Sequence, residues 1–188
     1  AAVGGLSTAW GSGLAMFDEK DLAGWPIAAS DLSRNYAAIA EMTGASGPWP
    51  EGHGAPPPSL TPHPGLHPTA ERLLKRVRKR EGFAIDAGLH AVLGADRDDR
   101  RACDLNGSCL FGCARRSIWS APYEVRALQA NPRFTLCSGL RIDSMNQEGD
   151  GWRLSCQDGS SIRARHVVCA GGAIGSPALL LRSGVPDP

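Results

Sequence analysis

The chain has 188 residues, a net charge of +1, 42% hydrophobic residues and 21% charged residues. These proportions are typical of a globular domain, and the near-neutral charge excludes a general electrostatic attraction to nucleic acid or to an anionic membrane. The longest aliphatic run, residues 179–181, is far too short to cross a bilayer.

Residues 1–17 mix glycine, serine and apolar side chains, which predicts an irregular loop packed closely against a neighbour. Its glycines permit a close backbone approach to a flat ligand, its hydroxyls can serve ring heteroatoms, and its tryptophan offers a surface for stacking or packing. An ordinary glycine-rich loop with one buried tryptophan explains the same pattern. The candidate ligand contacts are Gly4, Gly5, Ser7, Thr8, Trp10 and Gly11.

Two helices are predicted around a segment rich in proline, glycine and histidine. The first begins at Ser30–Asp31 and ends at Gly44; the second spans 69–81, has a basic face that we interpret as solvated, and ends at Gly82. Residues 44–68 between them predict a loop or flexible lid. The spacings of the histidines in this segment fit no tight metal site, so we interpret them as surface residues. They are His53, His63 and His67.

A cysteine cluster follows a strand predicted over 83–93. Cys103, Cys109 and Cys113 have the spacing C-x5-C-x3-C, and thiolates this close together can converge on an iron–sulfur cluster or on zinc. A buried loop with small thiols explains the spacing equally well. The other cysteines are scattered, so the pattern is not that of a disulfide-stabilised mini-protein.

The C-terminal third predicts a helix over 120–130, then three strands and a glycine-rich turn. The strands are 134–142, 152–156 and 162–169, with turns at 148–151 and 158–159. The turn at Ala170–Gly175 is predicted to open a helix in which Ser176 is the N-cap and Pro177 the first helical residue. This turn is also similar to a dinucleotide fingerprint that lacks its first glycine, so a nicotinamide-binding unit stays an alternative.

Three segments of the chain occur in an order that resembles the flavin-binding part of the glucose–methanol–choline (GMC) oxidoreductases. The resemblance is strongest to the sugar and polyol dehydrogenases and the pyranose oxidases. The segments are Val3–Gly11, Cys103–Cys113 and Ala170–Gly184. The resemblance implies an α/β fold: part of an FAD/NAD(P)-binding, Rossmann-like domain with a small antiparallel β-meander and an inserted helical and loop segment. It implies that Gly4–Gly11 lies against the flavin ring. Pyranose oxidases carry a histidine that bonds covalently to flavin where this chain has Ala9, so non-covalent FAD is expected.

The resemblance also implies roles for residues further along the chain. Backbone groups of Leu140 and Arg141 would hold the adenine, and Ala170, Gly171 and Gly172 would lie near the phosphates and ribose of FAD. In a subgroup of sugar dehydrogenases the same cysteine spacing binds an iron–sulfur cluster that passes electrons to an acceptor. Cys103, Cys109 and Cys113 are therefore candidate cluster ligands.

The resemblance divides the chain into a flavin-contacting segment and helix (1–43), an insertion or lid (44–100), and the cysteine segment, β-meander and return to the FAD domain (101–188). We expect an internal fragment, inactive alone, with the N-terminal dinucleotide fingerprint and the C-terminal catalytic base outside it.

The expected activity is FAD-dependent oxidation of a CH–OH group in an alcohol, sugar or polyol, with a quinone or protein as a candidate electron acceptor. A soluble protein of the bacterial cytoplasm or periplasm is expected, without a nucleic-acid partner. The alternatives are an NAD(P)-dependent α/β oxidoreductase and a non-catalytic iron–sulfur or zinc module that relays electrons.

Overall fold

The computed structural model describes residues 3–78, 85 and 87–185, and its chain divides into two compact units, Ala1–Arg126 and Ala127–Pro188. The first unit contains helix α1 (Ala29–Thr43), helix α2 (Pro68–Val77) and the two-residue strands β1 (Gly13–Leu14) and β2 (Leu89–His90), which pair antiparallel. Helix α3 (Ala121–Leu128) contains the boundary between the units. Short 3-10 helices span Gly5–Thr8 and Cys109–Phe111.

The first helix ends where the sequence predicts. Gly44 adopts a left-handed conformation (φ 71°), and its N–H closes the helix on the carbonyls of Ala40 and Glu41. A Cβ at this position would lie 2.4 Å from Cδ2 of Leu93, so the turn also needs glycine for space. This turn delivers Ala45 into the small core of the first unit, beside Ala40 and Leu89.

The second unit is a three-stranded antiparallel meander with one helix. Strands β3 (Ile142–Glu148), β4 (Gly151–Cys156) and β5 (Ser161–Ala164) pair in chain order, and helix α4 (Gly172–Arg182) packs on β3. The turns predicted at 148–151 and 158–159 are confirmed, the first as residues 149–150 between β3 and β4 and the second as 157–159. Two hydrogen bonds attach the end of α4 to β3: Arg182 Nε donates to the carbonyl of Asp143, and Met145 N–H donates to Ser183 Oγ, at 2.8 and 2.9 Å.

Two strand predictions in this unit are wrong in extent. The strand predicted over 134–142 lies instead at Ile142–Glu148, a mostly polar stretch that becomes a strand because it pairs across the hairpin with β4. The strand predicted over 162–169 ends at Ala164, whose partner Trp152 lies next to the first residue of β4. Beyond Ala164 the apolar run pairs with no strand among the described residues, and Val168 is 88% exposed.

The predicted start of the last helix is also wrong. Helix α4 begins at Gly172, with Gly171 as the N-cap residue and Pro177 inside the helix. Ser176 does not cap a later helix, because its hydroxyl closes the turn that precedes α4. The hydroxyl accepts a hydrogen bond from Gly171 N–H at 2.9 Å and donates one to the carbonyl of Cys169 at 3.2 Å.

The remaining helix predictions are confirmed with shorter bounds. The helix predicted over 69–81 is observed as Pro68–Val77, and that over 120–130 as Ala121–Leu128. Of the strand predicted over 83–93, the described residues form only Leu89–His90; residues 83, 84 and 86, and the predicted helix end at Gly82, lie outside the described residues. No helix among the described residues is long and apolar enough to cross a membrane.

The prediction that all three histidines of segment 44–68 are surface residues is wrong for two of them. His53 is only 7% exposed and lies edge-to-face against Tyr36, with ring centroids 5.7 Å apart. His63 is half-buried against His90. His67 is exposed, and its Nδ1 accepts the Thr69 N–H at the start of α2. The segment folds back on the sheet of the first unit, and this burial follows from that long-range pairing.

Candidate functional site

Two cavities of the first unit bring the N-terminal loop and the cysteine segment together. A cavity of about 140 Å³ is lined by Ser7–Trp10 from the loop and by Cys109 and Cys113 from the cysteine segment. A second cavity, of about 100 Å³, is lined by Gly11 and by all three predicted cysteines. Residues about 100 positions apart in the chain therefore share one region of the first unit.

Glycines shape the N-terminal loop in two different ways. Gly4 has a φ of +88°, and a Cβ there would lie 2.3 Å from Cδ of Pro122, so this glycine is required for packing within the protein. Gly5 and Gly11, in contrast, have no heavy atom within 4 Å of a Cβ placed on them. Their backbones are thus open to close approach by a ligand.

The hydroxyl groups of this loop are engaged within the protein. Ser7 Oγ donates to the carbonyl of Gly4 at 2.6 Å and accepts the N–H of Ala121, the first residue of α3, at 3.0 Å. Thr8 Oγ1 donates to the carbonyl of Gly5 at 2.9 Å. Both hydroxyl protons are therefore used locally, and what these side chains can still offer a ligand is an acceptor lone pair.

Trp10 packs against a second tryptophan that the sequence analysis did not single out. Its Nε1 donates to the carbonyl of Trp119 at 2.9 Å, and the two indole rings meet edge-to-face with centroids 6.1 Å apart. Trp119 Nε1 in turn donates to Glu124 Oε1 at 2.9 Å. Since both indole N–H groups are bonded, this pair fixes the loop against the start of α3.

The three cysteines are free thiols. Burial of the Cys113 thiol raises its pKa. Hydrogen bonds from the backbone of Ile118 and from the side chain and backbone of Ser117 outweigh that effect, so the pKa of Cys113 lies below its ordinary value. The Ser117 N–H lies 3.2 Å from Cys113 Sγ. Within residues 3–78, 85 and 87–185, no group of three histidine, cysteine, aspartate or glutamate side chains could hold a metal ion.

Arg100 holds the cysteine segment onto the first unit. It is 8% exposed, and its guanidinium donates to the carbonyls of Thr43, Arg116 and Ser117 at 2.9–3.0 Å. Burial, with the neighbouring charge of Arg97, lowers its pKa from the ordinary value. The sequence analysis missed Arg100 because it lies in a run of arginines and aspartates that has the composition of a solvated surface.

The second unit has its own cavity, of about 500 Å³, at the glycine-rich turn. Arg141, Ala170 and Gly171 line it, so the structure brings together the turn and one of the two residues predicted for the adenine. Leu140 is 39% exposed and is not among the lining residues. The Arg141 carbonyl accepts the Gln157 N–H at 2.9 Å. Gly172, the first residue of α4, has a φ of +79° and open space at its Cβ position.

Residues 78–188 match the family model described as GMC oxidoreductase. The chain belongs to the GMC oxidoreductase family. The matched range contains the cysteine segment, the β-meander and the glycine-rich turn, and the Gly4–Gly11 loop precedes it. A comparison with curated proteins finds no match.

Membership of the GMC oxidoreductase family identifies the chain as part of a flavoprotein oxidoreductase that uses FAD, and it implies a Rossmann-like FAD-binding domain. Both sheets among the described residues are antiparallel. Three residues that the sequence analysis missed act mainly by positioning the N-terminal loop and the cysteine segment: Arg100, Ser117 and Trp119. Arg100 and Trp119 were missed because they contact residues distant along the chain, Thr43 and Trp10. The Ser117 N–H, which bonds to Cys113 Sγ, is a backbone group, and a sequence pattern does not distinguish it from any other.

Proposed function

We propose that this GMC oxidoreductase oxidises the CH–OH group of an alcohol, sugar or polyol and transfers a hydride to N5 of non-covalently bound FAD. The observation that carries the proposal is the shared region of the first unit, where the predicted flavin loop and the cysteine segment line the same two cavities. Bound FAD would supply the hydride acceptor. We assign no residue of this chain as the catalytic base.

In this proposal the N-terminal loop holds the flavin ring through its backbone. Gly5 and Gly11 present bare backbone with open space above it, which suits a flat ligand that must approach closely. Trp10, Ser7 and Thr8 then act mainly by keeping that backbone in place, since their polar hydrogens are already bonded within the protein. Ala9 cannot form a bond to flavin, which agrees with non-covalent binding.

The glycine-rich turn of the second unit is proposed to hold the dinucleotide part of FAD. Ala170, Gly171 and Gly172 lead directly into the N-terminus of α4, where free N–H groups and the helix dipole favour an anionic phosphate. The cavity of about 500 Å³ beside the turn also carries the exposed Arg141. These features support the proposal for the turn.

An iron–sulfur cluster is not part of this proposal. Cys103, Cys109 and Cys113 line one cavity, but among the described residues they are not placed as a metal-holding group. We propose instead that the thiols pack beneath the flavin loop. Electrons would then leave the flavin directly for the acceptor.

The first test is the visible spectrum of the protein expressed from its complete reading frame and purified without added cofactor. Flavin bands that are bleached anaerobically by a sugar, polyol or simple alcohol are expected, and heat denaturation should release the FAD into the supernatant. A protein that stays colourless after FAD is supplied would contradict the proposed flavin chemistry. Iron–sulfur absorption in addition to the flavin bands would contradict the proposal that the cysteines only pack beneath the loop.

A pair of substitutions tests the loop itself. Gly11→Phe places a side chain on the loop backbone at a position where a Cβ meets no heavy atom within 4 Å, and should weaken FAD binding at least about tenfold, the equivalent of 1.4 kcal/mol. Gly13→Phe is the matched control, because Gly13 also has open space at its Cβ position and lies two residues further on. Equal FAD affinities for the two variants would show that the flavin does not cover Gly11.

A further inference from the structure

A short row of paired residues in the first unit has one apolar face and one polar face. Ser46 forms bridges with Thr61 on one side and with His90 on the other, and His90 also pairs with Gly13. Because side chains alternate along extended chains, the flanking residues Ala45, Leu60 and Leu89 point to the other face, where they contribute to the small core. Ser46, Thr61 and His90 therefore share the polar face.

Two hydroxyl groups of this polar face are buried without a hydrogen-bond partner. Ser46 is completely buried, and neither its hydroxyl nor that of Thr61 has a partner. His63, two residues after Thr61, places its ring edge-to-face against His90 with centroids 5.5 Å apart. The proline-rich segment 44–67 is thus attached to β2 through a polar contact that contains two imidazoles.

The hydrogen bonds of the two rings fix where their protons lie. Nδ1 of His63 accepts the Gly65 N–H at 3.1 Å, so neutral His63 carries its proton on Nε2. Nε2 of His90 lies 2.8 Å from the carbonyl of Ala87, which can only accept, so His90 carries its proton on Nε2 as well. His63 therefore has no free lone pair to share with His90, and the pair does not have the form of a metal site.

Protonation acts directly against this arrangement. A proton on His63 must occupy Nδ1, the atom that accepts the Gly65 N–H, so the bond that shapes the segment is replaced by two opposed N–H groups. Among the described residues, the charge that acts on His63 is that of His90, whose ring lies edge-to-face against it; burial and this charge both lower the pKa of His63. Leu105 Cδ1 lies beside Gly65.

We propose that the His63–His90 pair is a pH-sensitive latch, which holds residues 62–67 against β2 at neutral pH and releases them in acid. The release would require no change in the core, because the core residues and those packed on them, Trp49 and Leu60 among them, lie outside 62–67. The change at the latch is local: the hydrogen bond from Gly65 is lost and a charge is placed beside the His90 ring. Residues 62–67 then move as a loop between the Ser46–Thr61 bridge and the start of α2.

Two substitutions of His63 separate the latch from a merely structural contact. Asparagine can accept the Gly65 N–H through its side-chain oxygen, as in an Asx turn, but it has no proton to gain in this pH range. His63→Asn should therefore keep the segment closed in acid. His63→Lys carries a permanent charge and no acceptor, so it should open the segment already at neutral pH. His166→Asn, an exposed histidine of the second unit, is the matched control.

The readout is the rate at which a pH-tolerant protease, used at several pH values on the complete protein, cleaves within 62–67. For the wild type and His166→Asn, cleavage corrected for protease activity should accelerate at least about tenfold between pH 7.5 and pH 5. It should stay slow throughout for His63→Asn and be fast throughout for His63→Lys. Circular dichroism in parallel confirms that each variant is folded.

A segment that stays equally protected at both pH values in the wild type would overturn the proposal. So would equal acceleration in His63→Asn, because the pH response would then arise elsewhere. Hydrogen exchange of the Gly65 amide provides a second measurement without any substitution. Its protection factor, the ratio of the intrinsic to the observed exchange rate, should fall in acid. An unchanged protection factor at Gly65 would also contradict the latch.

Discussion

Replacing Arg100 with lysine should destabilise the first unit far more than its conservative character suggests. The guanidinium donates to three backbone carbonyls, and one of them belongs to Thr43, the last residue of α1. A lysine at a site that is 8% exposed keeps the charge but can reach about one of these carbonyls at a time. The planar fork of arginine is what allows all three bonds together.

The magnitude follows from the two bonds lost. Each hydrogen bond from a charged donor contributes about 1.5 to 3 kcal/mol, so the free energy of unfolding should fall by about 3 to 6 kcal/mol. For a chain of this length, that corresponds to a decrease in Tm of about 6 to 24 °C. Arg101→Lys is the control, because Arg101 is exposed and makes one ion pair, at 3.4 Å to Asp96, worth less than about 1 kcal/mol.

Urea unfolding followed by tryptophan fluorescence measures the difference, because Trp10, Trp25, Trp49 and Trp119 all lie in the first unit. The visible spectrum of the same samples reports whether FAD is retained. If Arg100→Lys and Arg101→Lys unfold within about 1 kcal/mol of each other, the three carbonyl bonds do not hold the cysteine segment, and the positioning argument for that segment is wrong.

Three further predictions concern the glycine loop, the turn and the latch. Gly4→Ala should cost about 2 to 5 kcal/mol in urea unfolding, since a left-handed backbone and a clash with Pro122 add together, whereas Gly5→Ala, which meets no clash, should cost less. Ser176→Ala removes the hydroxyl that closes the turn before α4 and should lower stability by about 1 kcal/mol by the same assay; no change would mean that the glycines alone set the turn. Burial lowers the pKa of His63, and the charge of His90 adds to the effect, so the native state favours the neutral ring. The free energy of unfolding should therefore fall as the pH decreases below about 6.5. If the free energies of unfolding of wild type and His63→Asn differ by the same amount at every pH, this reasoning is wrong.

Local signals predicted the parts of the fold that are set by neighbouring residues. Gly44 marks the end of α1 because a glycine alone fits the left-handed cap, and the glycines at 149 and 159 mark hairpin turns for the same reason. The strand at 142–148 could not be predicted this way. Its residues are mostly polar, and what makes them a strand is the pairing with β4, which no local pattern contains.

In the candidate site, too, local features could be predicted from the sequence and contacts between distant residues could not. The segments around Gly4, Cys109 and Gly171 were singled out because their composition is unusual, and the family match covers the last two of them. The ligand contacts assigned to them stay predictions. Arg100 and Trp119 were missed, since a buried arginine and an exposed one look alike in sequence. Ser176 was predicted as an N-cap, and that prediction is wrong: its hydroxyl bonds to Gly171 and Cys169, which lie before it in the chain, and it closes the turn that precedes α4.

The contacts between the N-terminal loop and α3 have a consequence for how the protein is made. Trp10 bonds to a residue 109 positions later, and Ser7 to one 114 positions later. A ribosome that adds about 5 to 20 residues per second leaves the loop without these partners for about 5 to 23 s. During that time the indole of Trp10 has neither its hydrogen bond nor its ring contact with Trp119, so the loop is made more than 100 residues before the partners that secure it. Chaperone binding to nascent chains should therefore depend on this loop, and slower translation should lengthen the interval.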